Sequence, residues 1–447
     1  TIEPYAEQVI NEPLVATPPT PGKIIKEEKD QVLNATVWTL QNGMKVILKN
    51  TDFKDDEIIM TGTSAGGYSQ FAVQDPINSK LMSAVMGVGG VGNFSATDLP
   101  KVLAGKTASA RPGVSLITQD FNGSSSIKDF ETMLQLVYLY FTAPRKDADA
   151  FQSYLQRMET QLKNQEAEPM VAFSDSITAA LYGNNPLTAR IKLADLKQLD
   201  YDRIMEMYKQ QFSNPGSFVF TFVGNIDEEK VRPVVEQYLA SLPGKAVKGE
   251  FVKVPMNFLA GELNNIFQRE MQNPKASVFN TYSGTIERNM KNLILMSMFD
   301  QILDIVYTEK IREEEGGTYG VSSAGGISRY PEGQSVLQIM FDTDPEKMAH
   351  LNEIIHNVLK EIAANGPREA DFSKVKEYMN KSYNENLKEN SYWMNVLDTR
   401  YFYGEDTYTN YIDTVNAITP AEVKDFVANL LNQGNKKTIV MIPKVAK

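Results

Sequence analysis

The sequence predicts an α+β fold class: two tandem homologous α+β domains, each a mainly antiparallel sheet covered by helices on one side. Three observations predict it. The chain has 447 residues, too many for one core at about 100–200 residues per domain. Stretches of period-two alternation and stretches of helical periodicity follow one another in an order that the second half repeats. Local sequence repeats too. The Ala-Pro-Arg-Lys-Asp-Ala-Asp break between two helical stretches near 130–157 matches the Asn-Gly-Pro-Arg-Glu-Ala-Asp break near 351–378, and Tyr182-Gly183 returns 221 residues later as Tyr403-Gly404.

Residues 1–32 hold five of the 21 prolines, a composition that favours extended backbone without donors, and read as a linker or hinge. Val37 to Leu40 and Met44 to Leu48 alternate around Gln41-Asn42-Gly43 and predict a β-hairpin. Strands follow at 57–63, 114–120 and 217–224, with helices at 78–88, 127–142, 147–165, 169–182, 200–212 and 227–240. The break between domains falls at Leu242-Pro243-Gly244-Lys245, giving a first domain over 33–245 and a second over 246–447. The second domain predicts strands at 251–256, 264–271, 276–283, 318–328 and 335–343. Its helices are expected at 288–314, 345–364, 367–389, 392–403 and 420–432, and Thr438 to Ile442 closes it as Phe218 to Val223 closes the first. Thr419-Pro420-Ala421-Glu422 supplies a capping box with Pro at the first helical position.

Composition removes several classes of chemistry. There is no cysteine, hence no thiolate nucleophile, disulfide or Cys-type zinc site, and the compartment stays open between cytosol and periplasm. The formal net charge of −11 argues against nucleic acid or an anionic membrane as partner, since both need surplus Lys and Arg. No apolar run approaches the roughly 18–20 residues of a membrane span, and no signal-peptide pattern opens the chain. The two histidines are His350 and His356. At i and i+6 they stand about 120° apart around a helix, where ligands to one ion need i and i+4. They read as ordinary helix histidines.

Gly87-Val88-Gly89-Gly90-Val91-Gly92 fits G-x-G-x-x-G, but it follows a helix rather than a strand and reads as a helix-ending loop. Asp55-Asp56-Glu57 and Glu313-Glu314-Glu315 read as solvated acidic faces. The informative stretch is Ile311-Arg312-Glu313-Glu314-Glu315-Gly316-Gly317-Thr318-Tyr319-Gly320, where a long helix ends in a Gly pair and a strand begins.

With this stretch, the Trp38-to-Val46 opening, the duplicated domain of about 220 residues and the Phe222-Val223-Gly224-Asn225 strand end, the chain resembles the insulinase/pitrilysin family of zinc metallopeptidases. The resemblance implies a fold of the LuxS/processing-peptidase kind and a zinc-free C-terminal half. Where an active half carries H-x-x-E-H on its first long helix, this chain has Ile77-Asn78-Ser79-Lys80-Leu81-Met82-Ser83-Ala84-Val85, with neither His nor Glu. No zinc ligand or other cofactor is therefore expected here, and Zn2+ is expected in an N-terminal or partner half joined through the Pro-rich segment. The chain by itself is expected to be inactive. The resemblance assigns Arg312 and, seven residues on, Tyr319 to catalysis with that other half, where both serve as donors to a peptide or small protein substrate. Two alternatives stay open. Arg312 would merely neutralise its helix C-terminus while Tyr319 packs on the sheet, or the chain is an inactive family member serving as a peptide-binding or structural partner subunit.

Overall fold

The computed structural model describes residues 8–316 and 318–445, without the side chains of Glu314, Thr318 and Tyr319. The chain begins with β1 (Ile24–Asp30), β2 (Ala35–Leu40), β3 (Lys45–Asn50) and β4 (Ile58–Ala65). Next come α1 (Pro76–Val85), the short α2 (Leu99–Val102), β5 (Ala108–Val114), β6 (Thr118–Ser125), α3 (Phe130–Thr142), α4 (Ala148–Gln165) and α5 (Pro169–Tyr182). Then α6 (Tyr201–Gln211), β7 (Val219–Gly224) and α7 (Glu228–Tyr238) complete the first half. The second half runs β8 (Leu263–Arg269), β9 (Ala276–Thr285), α8 (Met290–Tyr307), β10 (Thr318–Ile327), β11 (Gln334–Thr343), α9 (Met348–Asn365) and α10 (Glu369–Asn386). It ends with α11 (Asn390–Tyr401), α12 (Tyr411–Ala417), α13 (Pro420–Leu431) and β12 (Lys436–Pro443).

The two sheets share one topology. The first is ordered β1-β2-β3-β7-β4-β6-β5 and the second β10-β11-β9-β12-β8. Read from β3 and from β8, both give the same sequence of strands. In each, the closing strand pairs in parallel on one side, β7 with β3 and β12 with β8, and every other neighbour in the shared set is antiparallel. The closing strand is therefore central and buried on both faces. Phe220, Thr221, Phe222 and Val223 have no exposed surface, and Ile439, Val440 and Met441 have at most 1%.

Each strand sends alternate side chains to opposite faces. In the first sheet Phe220 and Phe222 enter a core with Trp38, Val46, Phe121 and Val137, beneath α1, α3, α6 and α7. Phe121 alone meets four other phenylalanine rings at 4.9–5.9 Å between centroids, the tilted and edge-on packing that aromatic quadrupoles favour. In the second sheet Val440 joins Met298, Phe299, Ile339, Ile355 and Val427 of α8, β11, α9 and α13.

The expectation of helices on one side is corrected by what covers the other faces. Phe279, Ile439 and Met441 pack against Phe173 and Leu181 of α5. On the first sheet α11 plays the same part. Trp393 lies over the Lys49 ammonium at 4.2 Å, and Thr61 Oγ1 donates to Asp398 at 2.8 Å. The compact units accordingly interleave in sequence. The first takes in residues through Gln161, Ile191–Val254 and Asn386–Thr407; the second takes in Leu162–Arg190, Pro255–Glu385 and the chain from Tyr408. The repeated Tyr-Gly falls at the C-terminal ends of these two helices, with Gly183 and Gly404 at φ +70° and +74°, the left-handed conformation that ends a helix most easily at glycine.

Three local expectations differ. Ile24–Asp30, within the expected linker, is strand β1, because its alternate groups pair with β2. The stretch expected as one strand at 114–120 is a reversal between β5 and β6; Arg111-Pro112 in β5 carries no strand signal. Residues 251–256 form no strand, Pro255 having no amide to give a ladder. Among the described residues no helix is long and apolar enough to cross a membrane.

The Thr419 cap forms as the sequence predicts: the Glu422 amide donates to Thr419 Oγ1 at 3.2 Å and the Thr419 amide to Glu422 Oε1 at 3.1 Å. Thr419→Ala should cost about 1 kcal/mol in unfolding free energy, measurable by urea denaturation.

His356 is 8% exposed, with its Nδ1 2.7 Å from the Tyr282 hydroxyl. Burial, and then Lys436 and Lys360, lower its pKa to about 4. Because the folded value lies below the unfolded one near 6.5, the unfolded chain binds more protons between them. Stability should therefore fall as pH drops from 6.5 towards 4, by about 3 kcal/mol from this group. Asp398 acts with opposite sign, since burial raises its pKa to about 6 and its contribution is lost as pH rises through that value. Comparing wild type with His356→Gln isolates the histidine: the variant should lose the steep acid limb in chemical denaturation from pH 6.5 to 4. An unchanged limb would show that His356 is not its source.

Candidate functional site

α8 is set at its start by Asn289, whose side chain accepts the Asn292 amide at 2.8 Å, and is driven into the second core by Phe299, Ile302, Leu303 and Val306. The helix does not stop at Tyr307. Residues Thr308–Glu314 continue as a π-helix, a rare widened turn that is frequent at functional sites. Ile311 in this turn is fully buried, so the turn is pinned on its inner side. Arg312, the next residue, is exposed and has no carboxylate partner among the described residues.

Side-chain contacts of Glu309 and Glu315 flank Arg312. Glu309 Oε2 lies 2.5 Å from Arg368 Nη2, and Arg368 Nε reaches Asp371 at 2.7 Å. The Glu309 hydrogen bond, followed by that to Asp371, pushes the Arg368 guanidinium still higher than its ordinary range, while the same contact lowers Glu309. On the other side Glu315 lies 3.2 Å from His350. Glu309 thus ties the turn to the start of α10, and Glu315 of the exposed acidic run reaches His350 on α9. His350 and His356 have separate environments, one exposed beside Glu315 and one buried beside Tyr282.

Beyond the turn, Gly316 takes φ +57° and Gly317 lies outside the described residues. β10 opens with a bulge: Thr318 pairs with Thr343 but Val321 with Phe341, one residue more on the β10 side, with Gly320 at φ +138°. Such a bulge re-aims side chains at a strand start. Tyr319 lies in this segment, and its side chain is outside the described residues.

The place of H-x-x-E-H offers no metal site. Ile77 and Leu81 on α1 are core residues, 9% and 7% exposed. Asn78 is spent on structure, its side chain donating to Asp75 and to the Gln198 carbonyl and accepting the Asp200 amide at 2.8 Å. Burial lowers the Lys80 ammonium below the ordinary lysine range. Among the described residues no group of three His, Asp or Glu side chains could hold a metal ion, and the side chains on α1 do not fit zinc. Gly87 to Gly92 follows α1 as turns, and a Cβ at Gly90 would stand 2.1 Å from the Phe94 carbonyl oxygen. That close approach accounts for glycine there without any phosphate.

Residues 198–379 match the Peptidase M16 inactive domain. A "Zinc protease PQQL-like" of Arabidopsis thaliana is 25% identical over 415 residues, 89% of this chain and 40% of that protein. The periplasmic protease PqqL from Escherichia coli superposes with a TM-score of 0.82 at 20% identity, over 99% of this chain and 49% of that one. The ferredoxin protease FusC, solved in complex with Arabidopsis ferredoxin, gives 0.83 at 17%, over 100% and 49%. The chain spans about 40% of the length of the curated relatives it matches. Residues 198–379 thus carry a Peptidase M16 inactive domain, and the chain is homologous to PqqL-like zinc proteases of the insulinase/pitrilysin family.

Proposed function

We propose that this chain is the zinc-free, C-terminal half of a zinc endopeptidase, enclosing a peptide or small protein substrate and supplying Arg312 and Tyr319 to a zinc site on the other half. The observation that carries the reading is the placement of Arg312. An exposed arginine next to a buried Ile311, on a turn held by Glu309–Arg368 and Glu315–His350, starts from an anchored backbone and is not consumed by a partner among the described residues. A helix-neutralising arginine needs no such anchoring. A five-donor planar fork can grip a substrate carbonyl or carboxylate, and a tyrosine hydroxyl donates where negative charge grows on a reacting oxygen. A periplasmic or cell-envelope location belongs to the same reading, following the Escherichia coli relative.

The test is steady-state kinetics on the enzyme that contains both halves. Tyr319→Phe should lower kcat by about 10²–10³, or about 2.7–4 kcal/mol. Arg312→Lys should also lower kcat/KM, because an ammonium cannot reproduce the bidentate fork. Thermal unfolding should be nearly unchanged in both variants. Wild-type kcat/KM in both would favour the non-catalytic partner subunit instead.

A further inference from the structure

Within the first compact unit the packing leaves a cavity of about 470 Å³ where the end of α1, the turn after it, α2, β5 and α3 meet. Pockets that hold small molecules run from about 300 to 1,000 Å³ and pair an apolar wall with a few polar groups. Here Met86, Leu99, Leu103 and Leu136 supply the wall, while Arg111 and Tyr140 bring polar groups. None of the lining residues is Asp or Glu. The glycine stretch after α1 borders the same space, since Gly87 and Gly90 both line it. Gly90 is confined by the Phe94 carbonyl, but a Cβ at Gly87 would meet nothing within 4 Å.

Two donors at this cavity are uncommitted. Arg111 is exposed and enters no ion pair among the described residues. Tyr140 is half-buried; its carbonyl accepts the Tyr208 hydroxyl at 2.7 Å, whereas its own hydroxyl has no hydrogen-bond partner among the described residues. The two groups sense each other. Burial pushes the Tyr140 hydroxyl up in pKa, and the Arg111 charge works against that rise. A tyrosine hydroxyl away from water ordinarily finds a partner, and an acceptor that uses both donors carries negative charge on more than one oxygen. A carboxylate meets that need, because a guanidinium grips its two oxygens in one plane. A nearly doubly charged phosphate would call for further cations, and Arg111 is the one cation among the lining residues.

We propose that this cavity binds a small aliphatic carboxylate, its chain against Met86, Leu99, Leu103 and Leu136 and its carboxylate on Arg111 and Tyr140. A chain of about eight to ten carbons suits a pocket of this size. The site uses no residue of the Arg312 turn and asks nothing of zinc.

The experiment is calorimetric titration of the whole chain with decanoate below its micelle concentration, with octanoate and decanol as comparators. Decanoate should bind about tenfold more tightly than decanol, as charge-assisted hydrogen bonds imply. It should also bind about fifteenfold more tightly than octanoate, at about fourfold per buried methylene. Arg111→Gln should erase the preference over decanol and leave decanol binding unchanged, while Tyr140→Phe should reduce that preference in part. Gly87→Trp puts an indole at the rim and should weaken both ten-carbon ligands, with thermal unfolding of the free variant unchanged. In the unmodified chain, hydrogen exchange over 99–114 should slow with decanoate, a reading that needs no variant to fold. Equal affinity for decanoate and decanol, a preference that survives Arg111→Gln, or unchanged exchange over 99–114 would overturn the proposal. None of these readings needs turnover, so this result and the fate of Arg312 and Tyr319 in kinetics are decided separately.

Discussion

The central position of the closing strand is the constraint on which the rest of each sheet depends. β7 and β12 lie between strands formed much earlier in the chain, parallel to one neighbour and antiparallel to the other. A strand so placed satisfies its whole ladder only when the full domain has been laid down. Its two faces must both be covered, since residues such as Phe222 and Val223 alternate but are equally buried. One layer of helices cannot do this. The second face is closed by α5 in one unit and α11 in the other, and the interleaved boundaries follow from that need.

With both centres filled, the places left for chemistry are the edges and the ends of the helices that feed them. The α8 extension delivers Arg312 directly before β10, and the widened turn is held by ion pairs rather than by apolar packing, except at Ile311. In the first half the equivalent helix is shorter, and its inner face is buried in the core. Ile77 and Leu81 face inward, and Asn78 knits α1 to the start of α6. A metal-bearing side chain there would have to displace apolar packing.

Much of the architecture is legible in the sequence because its signals are local. The Asn-Gly hairpin, the capped α13, the closing strands and the paired helix breaks each rest on a few adjacent residues. What escapes is what depends on distant partners. β1 is a strand only because β2 accepts it, since its own charged run carries no apolar alternation. The roles of α5 and α11 cannot be read from periodicity, because a helix gives no sign of which sheet it will cover. At the candidate site, Arg312 and Tyr319 are legible by resemblance alone, whereas Glu309 and Arg368 are 59 residues apart and nothing near either names the other. His356 likewise shows its buried tyrosine partner only in three dimensions.

The central claim, that this chain lends donors to a zinc site it does not itself contain, is tested most directly by metal analysis and peptidase assay of the purified chain after dialysis. The account predicts substoichiometric zinc and no chelator-sensitive hydrolysis of peptides. Stoichiometric zinc held at nanomolar affinity, with peptidase activity that a chelator removes, would contradict it.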